Sequence, residues 1–114
     1  MSPSDPSVQS PVQIMLCTAP DMDVARALAR RVVEERLAAC VNLVPELRSI
    51  YHWEGEIREE GEVLMVIKTV QDKVEFLTRT LVEAHPYEVP EVVAFNVRGG
   101  SEDYLDWIMK EVAQ

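Results

Sequence analysis

The patterned part of the chain opens with an apolar run, VQIMLCTA over Val12–Ala19, bounded by Pro20 and Asp21. Its length predicts a strand, with Ile14, Leu16 and Thr18 on one face and Met15, Cys17 and Ala19 on the other. From 23 to 37 the period changes. Val24, Ala25, Leu28, Ala29, Val32, Val33 and Leu37 recur three and four residues apart, which predicts a helix capped by Asp21 or Asp23. Arg26, Arg30, Arg31, Glu34 and Glu35 occupy its other side, the pattern of a solvated face with local ion pairs. Residues 38–44, AACVNLV, predict a strand that Pro45 interrupts at a bulge or an unpaired edge. It resumes over 47–53, where Tyr51 and Trp53 stand two apart and Ile57 is expected to continue their phase. Gly55 and Gly61 bracket the charged stretch 56–60, read as a polar turn, and 63–70 returns as a strand with an apolar run (VLMVI) typical of burial on both faces. Residues 71–84 form a second helix, with Asp72 and Glu75 as a capping box and Val74, Leu77, Leu81 and Ala84 as its apolar stripe. His85 before Pro86 ends it. Residues 91–98, EVVAFNVR, predict a last strand, and Ser101 caps a closing helix over 104–112.

The order β-α-β-β-α-β plus a C-terminal helix predicts an α+β fold: a ferredoxin-like split βαβ sandwich with an antiparallel sheet, an extended β-hairpin and the extra helix. Residues 12–114 make a single domain. Residues 1–11, with three prolines among polar neighbours, are expected to be a disordered tail without the apolar core of a signal peptide. The hairpin outruns a small sheet, and the strands are apolar on both faces. Both features call for another copy of the chain as a cover.

Among 114 residues, 20 are acidic and 11 are lysine or arginine, for a net charge of −9. This balance excludes nucleic acid and anionic membrane surfaces as partners. Two cysteines form no disulfide framework, and no apolar run reaches the length of a membrane span; the expectation is a cytoplasmic protein with reduced thiols. No nucleophile elbow, phosphate-binding loop or dinucleotide fingerprint is present, so an enzyme is not expected.

Cys17 carries a soft thiolate suited to Cu(I) or zinc, and equally reads as a small buried hydrophobe. His85, freed from the helix by Pro86, is a second ligand candidate or a partner for the helix's last carbonyls. Glu91, or a carboxylate from a neighbouring subunit, would complete their shell. Lys68, inside an apolar strand, either ends it or lines a pocket; with Tyr87 and Glu91 it would form a polar cleft suited to an anionic ligand. Tyr51 and Trp53 are expected at subunit contacts, His52 faces the other side of the ribbon, and Cys40 reads as core.

Six segments carry a resemblance, in order along the chain: LCTAPD, ERLAACVNLVP, SIYHWEGEI, EVLMVIKT, HPYEVPEVV and DYLDW. Together they resemble the CutA family of divalent-cation tolerance proteins. The resemblance implies a ferredoxin-like fold, a tight homotrimer, binding of copper or other divalent ions, and a role in metal tolerance and the response to metal ions. It links the cysteine of LCTAPD, here Cys17, to metal. Bacterial relatives can carry two histidines before the Pro-Tyr; here Ala84 stands at the first. A second expectation, from fold analogy, is a trimeric signalling module that binds a small metabolite in intersubunit clefts.

Overall fold

The computed structural model describes residues 10 to 113. Of the expected tail, 1–9 lie outside these residues. Ser10 and Pro11 are tied down: the Ser10 hydroxyl accepts from the Val12 amide at 3.1 Å, and the Pro11 carbonyl accepts from Gln71 at 2.7 Å.

Strand β1 (Val12–Ala19) leads to helix α1 (Met22–Glu34), and the long strands β2 (Cys40–Trp53) and β3 (Glu56–Val70) follow as a hairpin. A 3-10 turn (Gln71–Lys73) introduces helix α2 (Val74–Ala84); β4 (Val92–Asn96) and α3 (Glu102–Val112) close the chain. The sheet order is β2-β3-β1-β4, with every neighbouring pair antiparallel. Each helical crossover therefore skips one strand, which is the expected split βαβ arrangement.

Alternation along β1 works as read from the sequence. Met15, Cys17 and Ala19 face α1 and α2 and join Val63, Met65, Ile67, Leu77 and Leu81 in one core. Each large aliphatic side chain buried there contributes on the order of 2 kcal/mol. The opposite parity builds the second face, where register sets Phe95 beside Ile14, Val93 beside Leu16, Leu16 beside Val66, and Thr18 beside Leu64. Helix α3 touches β1 and β3 and buries Ile108 and Val112, so it closes one end of this face. Val44, Val93 and Phe95 remain exposed. Among the described residues, no helix is long and apolar enough to cross a membrane.

Several local readings change. Helix α1 stops at Glu34, three residues early, because Arg36 turns left-handed (φ 60°) and Leu37 donates back to the Val32 carbonyl at 2.9 Å. This is a glycine-type helix end made with arginine. No capping box forms at Asp72, since a 3-10 turn takes the residues it would use. Pro45 does sit at a bulge: pairing jumps from Val44 with Leu64 to Leu47 with Glu62, and Glu46 takes a φ of 63°. The hairpin reverses at Glu54 and Gly55, not at 56–60, which is strand. A two-residue reversal sets Ile57 opposite His52, so Ile57 lies on the other face from Tyr51 and Trp53. Cys40 is half-buried.

Only Val63–Val70 of β3 pairs with β1; residues 56–62 pair with β2 alone. The ribbon thus projects beyond the sheet and stretches the molecule to 51 Å along its longest axis, against 28 and 23 Å across.

Candidate functional site

Where the ribbon leaves the sheet, one of its faces looks onto the loop between α2 and β4. Register decides which side chains share that face: Ser49 opposes Glu60 and Tyr51 opposes Arg58, with Trp53 and Glu62 two residues further on. Together with Thr18 from β1 and Tyr87, Glu88 and Glu91 from the loop, they enclose an open cleft of about 580 Å³.

The cleft is organised by hydrogen bonds from tyrosine to glutamate. The Tyr87 hydroxyl donates to Glu62 Oε2 at 2.8 Å, and Glu62 is only 8% exposed. Burial, followed by the bond to Glu62 and the negative charges of Glu62 and Glu60, pushes the Tyr87 phenol far up. A hydrogen bond to Glu60 raises Tyr51 in the same direction. Among the described residues that line the cleft, Arg58 is the one cation. Its Nη2 lies 3.8 Å from Glu56, and its Nε is enclosed with no hydrogen-bond partner.

Cys17 and His85 lie behind this surface and do not line it. The Cys17 side chain is fully buried on the helix-covered face, and its Sγ is 3.8 Å from the Thr18 carbonyl. Burial pushes the thiol up to about 12, and the charges of Glu91 and Glu62 add to the effect. His85 is 7% exposed. Its Nδ1 accepts the Tyr87 amide at 3.1 Å, which leaves the proton on Nε2 to be donated to the Thr18 carbonyl at 2.7 Å. Both nitrogens are therefore in use, and the ring packs against Tyr87 at a tilt of 49°, with centroids 4.6 Å apart. Among the described residues, no three of His, Cys, Asp and Glu converge on a point where an ion would sit. As arranged, Cys17 and His85 are a protonated thiol and an engaged imidazole that meet at Thr18.

Lys68 is not brought to Tyr87 and Glu91. It pairs with Ile14 and Cys40, at the far end of β3 from Glu62. The two stand six positions apart along the strand, roughly 20 Å. The expected cleft therefore loses its lysine and gains Glu60, Glu62 and Glu88, which the sequence reading passed over. A signal was present: Glu62 stands immediately before the apolar run of β3, where its side chain would be drawn out of water.

Similarity to known proteins follows the same segments. Residues 13–111 match the family model of the CutA1 divalent ion tolerance protein. The chain is 50% identical over 101 residues to protein CutA of Mus musculus, covering 89% of this chain and 57% of the mouse protein. It is 47% identical over 96 residues to the divalent-cation tolerance protein CutA of Thermus thermophilus, covering 84% of this chain and 93% of the bacterial one. The crystal structure of CutA from Xylella fastidiosa superposes with a TM-score of 0.88 at 39% identity, covering 90% of this chain and 99% of that one. By sequence and by fold, the chain belongs to the CutA1 divalent ion tolerance family.

Proposed function

We propose that this protein serves divalent-cation tolerance in the cytoplasm as a homotrimer, by binding rather than by catalytic turnover. The family supports the tolerance role. The observation that supports assembly is the unpartnered ribbon: Ile50 and Ile57 are 68% and 70% exposed on it, and Val93 and Phe95 lie bare on the open sheet face. Apolar surface of this kind is what a second and third copy would cover, with Tyr51 and Trp53 at the contacts. Light scattering at micromolar concentration should return three times the 12.9 kDa chain mass; a monomer overturns the assembly.

Copper, or another divalent ion, is the proposed cargo, with Cys17 and His85 as its ligands and Glu91 beside them. Because the thiol is protonated and the Nδ1 lone pair of His85 is taken by the Tyr87 amide, ion capture there must displace that amide and release a proton from sulfur. The test is a Cu(I) titration against a competing chelator on the reduced protein and on the Cys17→Ser/His85→Ala double variant. About one ion per chain, lost in the variant, is the expected result; equal binding in both removes the site. The cleft supports a second reading, a module that binds a small organic ligand.

A further inference from the structure

Resting on Cys17 and His85 as the ion's ligands, we infer that Tyr87 couples this pair to the ribbon, so that an ion captured at His85 unfastens the ribbon's root. Tyr87 is held at three points. Its amide donates to His85 Nδ1 at 3.1 Å, its ring packs on the imidazole with centroids 4.6 Å apart, and its hydroxyl donates to Glu62 Oε2 at 2.8 Å. One residue therefore meets the candidate ligand with its backbone and β3 with the tip of its side chain. Glu62 stands at a junction. It pairs with Leu47 beside the Pro45–Glu46 bulge, and Val63, next in the chain, is the first residue of β3 with a partner on β1. Among the described residues, the ribbon's ion pairs, Arg48 with Glu59 and Arg58 with Glu56, stay inside the ribbon, whereas the Tyr87 bond to Glu62 fastens its root to the loop.

A metal ion binds an imidazole through a nitrogen lone pair, and the lone pair of Nδ1 is the one the Tyr87 amide uses. The two cannot share it. An ion bound there turns the amide away, and the ring, joined to that amide through one Cα, moves with it. The hydroxyl then leaves Glu62. Glu62 is 8% exposed, and a carboxylate so far withdrawn from water is costly without its donor. It regains hydration by swinging outward, at the residue where ribbon and sheet meet. Beyond that residue β3 has β2 alone, so no second ladder resists the release. The coupling runs in both directions: removing the Tyr87 bond to Glu62 beforehand makes ion capture easier.

The test uses the full chain in its native assembly, reduced and free of oxygen, with Cu(I) buffered by a competing chelator as the probe. Saturation with Cu(I) should quicken amide hydrogen exchange of the parent about tenfold at Arg58 and Glu60 and leave Met65 and Ile67 unmoved. Tyr87→Phe keeps the amide and the ring and removes only the hydroxyl. It should bind Cu(I) about tenfold more tightly than the parent, and its ribbon should exchange fast before any ion is added, with no further response. Tyr104→Phe makes the same change on α3, away from the ion site and the cleft, and should leave the affinity unchanged. A hydroxyl that only supported the fold would, on removal, weaken binding or leave it alone. Should Tyr87→Phe fail to fold, the parent's own exchange decides: no change at Arg58 and Glu60 overturns the inference. Equal affinity in the parent and Tyr87→Phe, with binding lost in Cys17→Ser/His85→Ala, overturns the coupling and keeps the ion site. Equal binding in that double variant removes the ion site and the coupling with it.

Discussion

Thr18 sits at the join between the two candidate ligands. Its carbonyl takes the Nε2 proton of His85 and lies against the Cys17 sulfur, while the residue itself contributes to the cleft wall. The buried thiol has a consequence for stability. Burial pushes the Cys17 thiol from its ordinary 9.0 up to about 12 in the fold. Below pH 9 both states hold the proton, and the thiol contributes no pH dependence. As pH rises from 9 toward 12 the unfolded chain gives up its proton while the native chain keeps it, so stability falls by roughly 1.4 kcal/mol per pH unit. Denaturant unfolding from about pH 8 to pH 11 should show Cys17→Ala with a shallower decline than the parent, by one proton's worth. Parallel declines would mean that burial does not hold this proton.

At the scale of elements, the hairpin turn invites improvement. Glu54 and Gly55 both have positive φ, 51° and 79°, as a two-residue type I′ reversal requires. Glycine adopts that conformation freely, but glutamate is strained there. Glu54→Asn should therefore raise the unfolding free energy by about 0.5–1 kcal/mol, read as a higher thermal midpoint; no gain would place the strain elsewhere. The same turn shows where reading the sequence stopped. Val12–Ala19, the helical stripes and the Pro45 bulge were legible because hydrophobic period and the missing proline donor act locally. The phase of Ile57 was not, because it depends on whether two or six residues reverse the chain, and both 54–55 and 56–60 are polar. The cleft's membership failed for a related reason. Lys68 and Glu62 lie on one strand face, but only the register with Ala19 and Ile14 tells which end meets Tyr87. That Cys17 and His85 share Thr18 was equally beyond periodicity, since it joins β1 to the loop after α2.

For the whole molecule, β3 leads two lives. Along Val63–Val70 it has a neighbour on each side and the helical core beneath; along 56–62 it has β2 alone. The Pro45–Glu46 bulge falls at the boundary, where a proline without an amide donor and a left-handed glutamate break the ladder. Opening the ribbon therefore costs one ladder and little apolar burial, whereas opening the sheet end costs the domain. Amide hydrogen exchange should record the difference within this one strand. Amides of Met65 and Ile67 should exchange only on global unfolding, and those of Arg58 and Glu60 orders of magnitude sooner in the isolated chain. Uniform protection along β3 in a monomeric preparation would contradict this. In an assembly that buries the ribbon, the fast half should slow toward the other, so a single strand would serve as its own gauge of quaternary structure.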